Sequence, residues 1–238
     1  MYHTKSISIH GFVLISPPTP PTPCNRRPPA RPLSMGKKLR PFDIVCPASR
    51  GLSLHLARTL LQRTKHQLVV TARSDLGAAK DALLDGLPAE YEPRVTILKV
   101  DVTNEHSVAS ASTRIRSLFG GRHAQYVFST AGVLYPERSP RQLDVRQIQT
   151  MLSTNLLGPL LLIKHFSCFL PTTRENPKTP AVWAHLSDRT GTIADNFLGG
   201  WYTYRASKAG LNSITKSFDL YLQQISANRA ICVSLHPG

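Results

Sequence analysis

Two side chains near the carboxyl end of the chain have a spacing that suits proton transfer. Tyr204 and Lys208, in the stretch "YRASK", stand four residues apart, so on a helix they lie on one face. An ammonium group beside a phenol lowers the phenol pKa from its unperturbed value of about 10, which lets tyrosine exchange a proton near neutral pH. The alternative is a packed tyrosine with a surface lysine, because this spacing alone is common. The elements around the pair must decide between the two.

A second candidate site lies between the first apolar run and the helix-like stretch that follows it. The segment "CPASRGLS" consists mainly of small residues, which let the backbone approach a pyrophosphate. The start of the next helix adds amide donors and the positive end of a dipole. Only Gly51 is present where such loops usually contain three glycines. An ordinary turn between a strand and a helix is therefore the alternative.

Two arginines follow the first two apolar runs. A protein that prefers NAD often places a carboxylate after the second strand to bind the ribose hydroxyls, whereas this chain has Arg73 in "TARS". Arg73, helped by Arg50 in the first loop, would suit the 2′-phosphate of NADP. Single arginines are mostly solvated surface charges. Their joint placement at neighbouring strand ends favours NADP over NAD.

Short apolar runs alternate with segments of helical length from residue 42 onward. The predicted strands are "FDIVCP", "HQLVVTARS", "RVTILKVDV", "AQYVFSTAG", "AVWAHLS" and "AICVSLHPG", and the predicted helices are 50–64, 75–85, 105–119, 141–170 and 201–226. Apolar strands separated by helices indicate a parallel sheet that is covered on both faces. We therefore expect one doubly wound α/β domain, with ligands at the carboxyl ends of its strands.

With these elements, the chain resembles the short-chain dehydrogenase/reductase superfamily, which has a Rossmann-type fold, over residues 42–238. The segment "CPASRGLS" matches the T-G-x-x-x-G-x-G loop, "STAG" matches N-N-A-G, "YRASK" matches the tyrosine and lysine, and "HPG" matches the Pro-Gly after the sixth strand. Asp101 in "KVDVT" corresponds to an aspartate that contacts adenine, and Asn155 in "STNLLGPL" to an active-site asparagine. The stretch "SDRTGTIADNFLGGWYTYRASKAGLN" is most similar to the branch of the C-factor signalling proteins and the sniffer-type carbonyl reductases.

This resemblance implies an NADP(H)-dependent oxidoreductase that interconverts a small-molecule carbonyl and an alcohol. Tyr204 would donate a proton to the carbonyl oxygen as NADPH delivers a hydride to the carbon. Lys208 would hold the nicotinamide ribose and lower the tyrosine pKa, and Asn155 would keep a helix carbonyl and a water in the proton relay. The implied cofactor-binding residues are Ala48, Ser49, Arg50, Gly51, Leu52, Arg73, Ser74, Asp101, Val102, Thr130, Ala131, Gly132, Tyr204, Lys208, Pro237 and Gly238.

The hydroxyl that would polarise the carbonyl has two rival candidates. If the longer loop before the tyrosine is allowed for, the position of the catalytic serine falls near Asp188, which Ser187 precedes. Thr192, 12 positions before Tyr204, is the other hydroxyl. A carboxylate in this position would oppose the negative charge that develops on the substrate oxygen. Ser187 and Thr192 both remain candidates.

The formal net charge of +15 is unevenly distributed along the chain. Residues 1–42 contain seven Lys or Arg and no Asp or Glu, and nine of the 19 prolines precede residue 43. This composition predicts a flexible leader over residues 1–41, with a transit peptide or translation from Met35 as alternatives. Because about half the charge lies in this leader and no nucleic-acid motif is present, we expect no nucleic-acid partner.

The remaining expectations concern assembly and completeness. The four cysteines lie far apart without a C-x-x-C pair, so we expect no metal site, and no apolar run is long enough for a membrane span. The predicted compartment is the cytoplasm, or the mitochondrion if residues 1–41 are a transit peptide. The resemblance implies a homodimer or homotetramer formed through 141–170 and 201–226. It also implies a truncated chain that lacks a seventh strand, so a catalytically impaired nucleotide- or partner-binding protein is the alternative function.

Overall fold

The computed structural model describes residues 40–174 and 177–237, so almost all of the predicted leader and Gly238 lie outside the described residues. The strands are β1 Phe42–Cys46, β2 Gln67–Ala72, β3 Val95–Lys99, β4 Ala124–Ser129, β5 Ala181–Leu186 and β6 Ala230–Leu235. The helices are α1 Gly51–Arg63, α2 Leu76–Leu84, α3 Glu105–Phe119, α4 Val145–Leu152, α5 Gly158–Phe166 and α6 Tyr202–Ser226. Every predicted strand is therefore present.

All six strands pair in parallel in the order β3-β2-β1-β4-β5-β6. The predicted doubly wound fold is thus confirmed, and the described ranges contain no seventh strand. The chain direction across the sheet reverses between β1 and β4, where the loops that follow these two strands diverge. In such sheets, this is the place where a crevice forms at the carboxyl ends of the strands.

Both faces of the sheet are buried, which explains why its strands read as continuous apolar runs. All five residues of β1 are buried. Phe42 and Ile44 belong to a core under α3, α5 and α6, and Val45 belongs to a second core under α1 and α2. In the first core the Trp183 ring meets Phe218 of α6 edge to face, with centroids 5.3 Å apart. This packing fixes α6 against β5.

The continuous helix predicted over 141–170 is wrong. A π-helical turn, Ser153–Leu157, separates α4 from α5, and the Gly158 amide donates to the Ser153 carbonyl five residues earlier. Pro159 has no amide hydrogen to give to residue 155, so the regular pattern of bonds cannot continue through this point. The other predicted helices begin and end within one residue of the observed bounds. No helix in the described ranges has the length and hydropathy to span a bilayer.

Candidate active site at the carboxyl ends of the strands

The π-helical turn places Asn155 inside the protein, where it connects two parts of the site. Its side chain is fully buried. The amide oxygen accepts a hydrogen bond from the Val133 amide at 2.8 Å, and the amide nitrogen donates to the Val133 carbonyl at 2.9 Å and to Ser207 Oγ at 3.1 Å. Asn155 therefore joins the loop after β4 to α6. These hydrogen bonds fix the position of α6 relative to the sheet.

Tyr204 and Lys208 share one face of α6, as their spacing predicts. Lys208 is only 3% exposed, its Nζ donates to the Leu186 carbonyl at 2.7 Å, and its Nζ lies 5.6 Å from the centre of the Tyr204 ring. A Cβ placed on Gly132 would lie 3.7 Å from Lys208 Nζ and 3.8 Å from Asn155 Oδ1. The structure thus brings together the tyrosine, the lysine, the asparagine and the glycine of "STAG".

The expected lowering of the Tyr204 pKa is wrong for this structure. Partial burial and the nearby Asp188 carboxylate raise the pKa of Tyr204 to about 12. The Tyr204 hydroxyl donates to Asp188 Oδ2 at 3.2 Å. This bond needs the phenolic proton, so it favours the protonated form of the tyrosine. Burial lowers the pKa of Lys208, and Asp188 opposes that change. The Asp188 carboxylate therefore has a larger effect on the Tyr204 pKa than the Lys208 ammonium.

Neither rival hydroxyl is hydrogen-bonded to Tyr204 in the described part of the chain. Ser187 is buried and donates to Asn212 Oδ1 at 2.7 Å, and Thr192 is exposed. Ser187 is therefore bonded to Asn212 of α6, and the next residue, Asp188, is the one bonded to Tyr204.

Asp188 is held in place by the short helical turn that follows it. Its Oδ1 accepts from the Thr190 amide at 2.8 Å, and its Oδ2 accepts from Tyr204. Burial raises the pKa of Asp188, but the hydrogen bonds from Thr190 and Tyr204 outweigh this effect and hold the pKa below its ordinary value. The group bonded to the Tyr204 hydroxyl is thus an ionised carboxylate.

The loop after β1 is fixed from both neighbouring strands. The Thr130 amide donates to the Cys46 carbonyl at 2.8 Å, and the Thr130 hydroxyl donates to the Pro47 carbonyl at 2.7 Å. On the other side, the Ala48 amide donates to the Thr71 carbonyl at 2.9 Å. The Ala48 amide is therefore already bonded within the protein and is not available to a ligand, so Ala48 can only line the loop.

The next four residues of this loop, 49–52, stay open to solvent. Gly51 adopts a φ of +58°, and apart from its chain neighbours and the nearby backbone of its own helix, no described heavy atom lies within 4 Å of a Cβ built on it. Arg50 precedes α1 and makes no side-chain bond to the first turn of that helix. Arg50 therefore leaves the amides at the start of α1 without a side-chain cap. These residues fit a pyrophosphate, because a helix N-terminus and a glycine allow an anion to approach closely.

A charged pair marks the far end of the crevice. Arg73 and Ser74 are exposed just after β2, and Asp101 follows the adjacent strand β3. The Asp101 carboxylate accepts from the Thr103 hydroxyl at 2.7 Å and from its amide at 2.9 Å. These bonds, with a smaller contribution from the Arg73 guanidinium, hold the pKa of Asp101 below its ordinary value. The Arg73 charge is thus close enough to Asp101 to lower its pKa.

The other predicted cofactor residues differ in exposure. Those beneath the crevice, Val102, Thr130 and Ala131, are buried, and those at its rim, Gly132 and Pro237, are exposed. Val102 also packs closely against α5, because a Cβ on Gly158 would lie 3.0 Å from its Cγ2. The buried residues can shape the crevice, whereas the rim residues can reach a ligand.

Glu137 is a residue that the sequence reasoning missed. It is 1% exposed, and its two carboxylate oxygens accept from the Thr203 amide at 2.8 Å and the Thr203 hydroxyl at 2.6 Å. Its carbonyl accepts from the Trp201 amide at 2.6 Å. A carboxylate here accepts hydrogen bonds from the first turn of α6 and interacts favourably with the positive end of the helix dipole. No local signal reveals this pairing, because 66 positions separate Glu137 from Thr203.

The fold and the site define an α/β protein of the dinucleotide-binding class, in which the loop after β1 and Tyr204 lie at one edge of the sheet. The family model described as short chain dehydrogenase matches residues 44–235. The chain belongs to the short-chain dehydrogenase family, a family of oxidoreductases that bind NAD(P) and act on small molecules.

Similar proteins agree with this assignment. The chain is 28% identical over 197 residues to 1-hydroxy-2-glutathionyl-2-methyl-3-butene dehydrogenase of Rhodococcus sp. (strain AD45), covering 82% of this chain and 76% of that enzyme. Carbonyl reductase Sniffer of D. melanogaster superposes with a TM-score of 0.72 at 26% identity, covering 83% and 80% of the two chains. NADPH-bound carbonyl reductase from chicken fatty liver gives 0.71 at 25% identity, covering 84% and 80%. The chain spans less than two thirds of several other curated relatives. The predicted resemblance to the sniffer-type reductases is confirmed.

Proposed function

We propose that this protein is an NADP(H)-dependent dehydrogenase or reductase that interconverts a small carbonyl compound and its alcohol, with Tyr204 as the acid and base. The observation that carries this proposal is the convergence of Tyr204, Lys208, Asn155 and Gly132 at the carboxyl ends of the central strands. The carbonyl reductases among its structural neighbours support the same reaction type.

NADP(H) is proposed rather than NAD(H) because of the charges after β2. Arg73 is exposed there and lowers the pKa of Asp101, so its positive charge lies near the adenosine end of the crevice. The nearest acidic residue along the chain, Asp75, accepts from the Ala78 amide at 2.9 Å as the cap of α2. A 2′-phosphate therefore meets a guanidinium and not a free carboxylate. The NADPH-bound chicken enzyme supports this choice.

Each site residue has a defined task in this reaction. NADPH, when bound, supplies the hydride that reduces the carbonyl carbon. Tyr204 gives its phenolic proton to the carbonyl oxygen. Lys208 has three donor protons on its ammonium group, of which one is bonded to Leu186, so it can also donate to a ribose hydroxyl. Asn155 holds the Val133 loop and α6 at a fixed separation and so positions Tyr204.

The first experiment is a titration of the purified full chain with NADPH and NADH, followed by nicotinamide fluorescence. Saturable binding that is tighter for NADPH is expected. NADPH consumption is then measured with a panel of carbonyl compounds for the wild type and for Tyr204→Phe. The variant should lose turnover and keep its cofactor affinity, because only the transferable proton is removed. Unchanged turnover in Tyr204→Phe would refute Tyr204 as the acid.

A second candidate function is a reductase-like protein that binds nucleotide or a partner without turnover. The ionised Asp188 beside Tyr204 favours it, since a negative charge there opposes charge development on the substrate oxygen. Measurable NADPH consumption by the wild type with any member of the carbonyl panel excludes this alternative.

A homodimer or homotetramer is proposed from the outer face of α5 and α6. Leu160 is 43% exposed and Tyr221 is 50% exposed, and both line a groove between these helices together with Ile163 and Phe218. Apolar side chains that are grouped in this way are typical of a surface covered by another protein. The groove lies on the helices through which the family resemblance implies association.

A further inference from the structure

The hydrogen-bond partner of the proposed acid, Tyr204, is the Asp188 carboxylate, and this contact has consequences for the reaction. We propose that Asp188 acts through Tyr204, holding the phenol in its protonated form and thereby slowing proton exchange with the substrate in both directions. The inference rests on the proposed function. Asp188 is a positioning residue, since it contacts the tyrosine and not the reacting carbon.

The carboxylate cannot easily turn away from the phenol. Its Oδ1 is bonded to the Thr190 amide at 2.8 Å while its Oδ2 accepts from Tyr204 at 3.2 Å. The turn that carries it is pressed against α6, because a Cβ on Gly191 would lie 2.7 Å from the backbone carbonyl carbon of Lys208. Rotating the carboxylate away would break the bond to Thr190 or move this turn. The contact with Tyr204 is therefore built into the backbone.

The positive charge of Lys208 on α6 does not cancel the effect of Asp188 on the Tyr204 pKa. Lys208 Nζ lies 5.6 Å from the centre of the Tyr204 ring and donates to the Leu186 carbonyl, whereas Asp188 is bonded directly to the phenolic oxygen. Charge interactions weaken with distance, so the carboxylate dominates. Burial and Asp188 together raise the pKa of Tyr204 to about 12.

The other groups that face this pair are His236 and Arg205. His236, just after β6, helps to lower the pKa of Asp188 and so keeps the carboxylate ionised. Arg205 donates to the Thr190 carbonyl at 3.4 Å and to the Gly200 carbonyl at 3.1 Å, which ties its guanidinium to the loop. Neither group is hydrogen-bonded to Tyr204.

The effect must be the same for reduction and oxidation. In reduction, the O–H bond of Tyr204 breaks and the proton moves to the carbonyl oxygen, whose carbon takes the hydride. In oxidation, the alcohol gives its proton to the Tyr204 phenolate as its carbon loses a hydride to the oxidised nicotinamide. Both directions place a phenolate beside the Asp188 carboxylate, which is unfavourable. Because a substitution cannot change the overall equilibrium, it must change kcat/KM equally in both directions when the affinities for the reduced and oxidised cofactor are unchanged.

The test begins with the protein without cofactor. Ultraviolet absorbance reports phenolate formation, and the difference from Tyr204→Phe isolates the titration of Tyr204. In Asp188→Asn, which removes the charge and keeps the shape, the Tyr204 pKa should fall by about one unit, giving roughly tenfold more phenolate at a given alkaline pH. Burial remains, so the shift is partial. Asp188→Ser is the second variant, and Asp195→Asn, in the same loop and paired with Arg189, is the control that should leave the titration unchanged.

Kinetics provide the second measurement. In both Asp188 variants, kcat/KM for carbonyl reduction and for alcohol oxidation should rise by the same factor, roughly three- to tenfold at neutral pH, and the alkaline limb of reduction should move to lower pH. An unchanged Tyr204 titration in both variants, or a loss of activity in both, would overturn the role of Asp188. Failure of the proposed function is distinct, because it appears as absent NADPH turnover in the wild type while the titration still tests Asp188.

Discussion

Replacing Glu137 with glutamine should loosen the start of α6 and thereby misplace Tyr204. The wild-type carboxylate accepts two hydrogen bonds from Thr203, at 2.8 and 2.6 Å, while it is 1% exposed. Glutamine keeps one accepting oxygen but turns an amide group toward the other donor, and it removes the negative charge from the helix N-terminus. A buried donor that loses its partner costs about 1 to 3 kcal/mol, and the lost charge adds about 0.5 to 1 kcal/mol.

The expected result is a loss of about 2 to 3 kcal/mol in the free energy of unfolding, measured by denaturant titration at neutral pH. The control is Glu90→Gln, because Glu90 is an exposed carboxylate whose replacement should change stability by less than about 0.5 kcal/mol. Turnover should fall more than NADPH affinity, since Tyr204 lies one residue after Thr203, whereas the loop proposed to bind the phosphates lies after β1. Equal unfolding midpoints for the two variants would refute the reasoning.

Two further substitutions test the cofactor site and the outer face of α6. Arg73→Glu should weaken NADPH binding by about 10- to 100-fold and leave NADH binding unchanged, because it exchanges a guanidinium for a charge that repels the 2′-phosphate. Fluorescence titration measures both affinities. The control is Arg63→Glu, at an exposed position of α1, which should not change the NADPH affinity. Leu160→Asp should dissociate the proposed oligomer in sedimentation experiments. Leu118→Asp, on α3 and 39% exposed, is its control, and equal sedimentation of both variants would argue against the interface.

The break between α4 and α5 could be predicted only in part from the local sequence. The apolar periodicity of 141–170 predicts helix throughout, and the segment is largely helical. Pro159 is a local signal for an interruption, but the π-helical form depends on a buried side chain. Asn155 is drawn inward by bonds to Val133 and Ser207, which lie 22 and 52 positions away. These partners meet only in the folded protein, so the sequence pattern could not predict the turn.

Features that depend on near neighbours along the chain could be read from the amino-acid pattern. The six buried strands follow from apolar runs, and the shared face of Tyr204 and Lys208 follows from a helical spacing. Which group is bonded to the phenol could be seen only in the folded protein. Ser187 is bonded to Asn212 and Asp188 to Tyr204, and the contact with Asp188 reverses the expected direction of the tyrosine pKa. The reason is physical, because a pKa depends on burial and on charges brought close by other elements, and neither is contained in spacing along the chain.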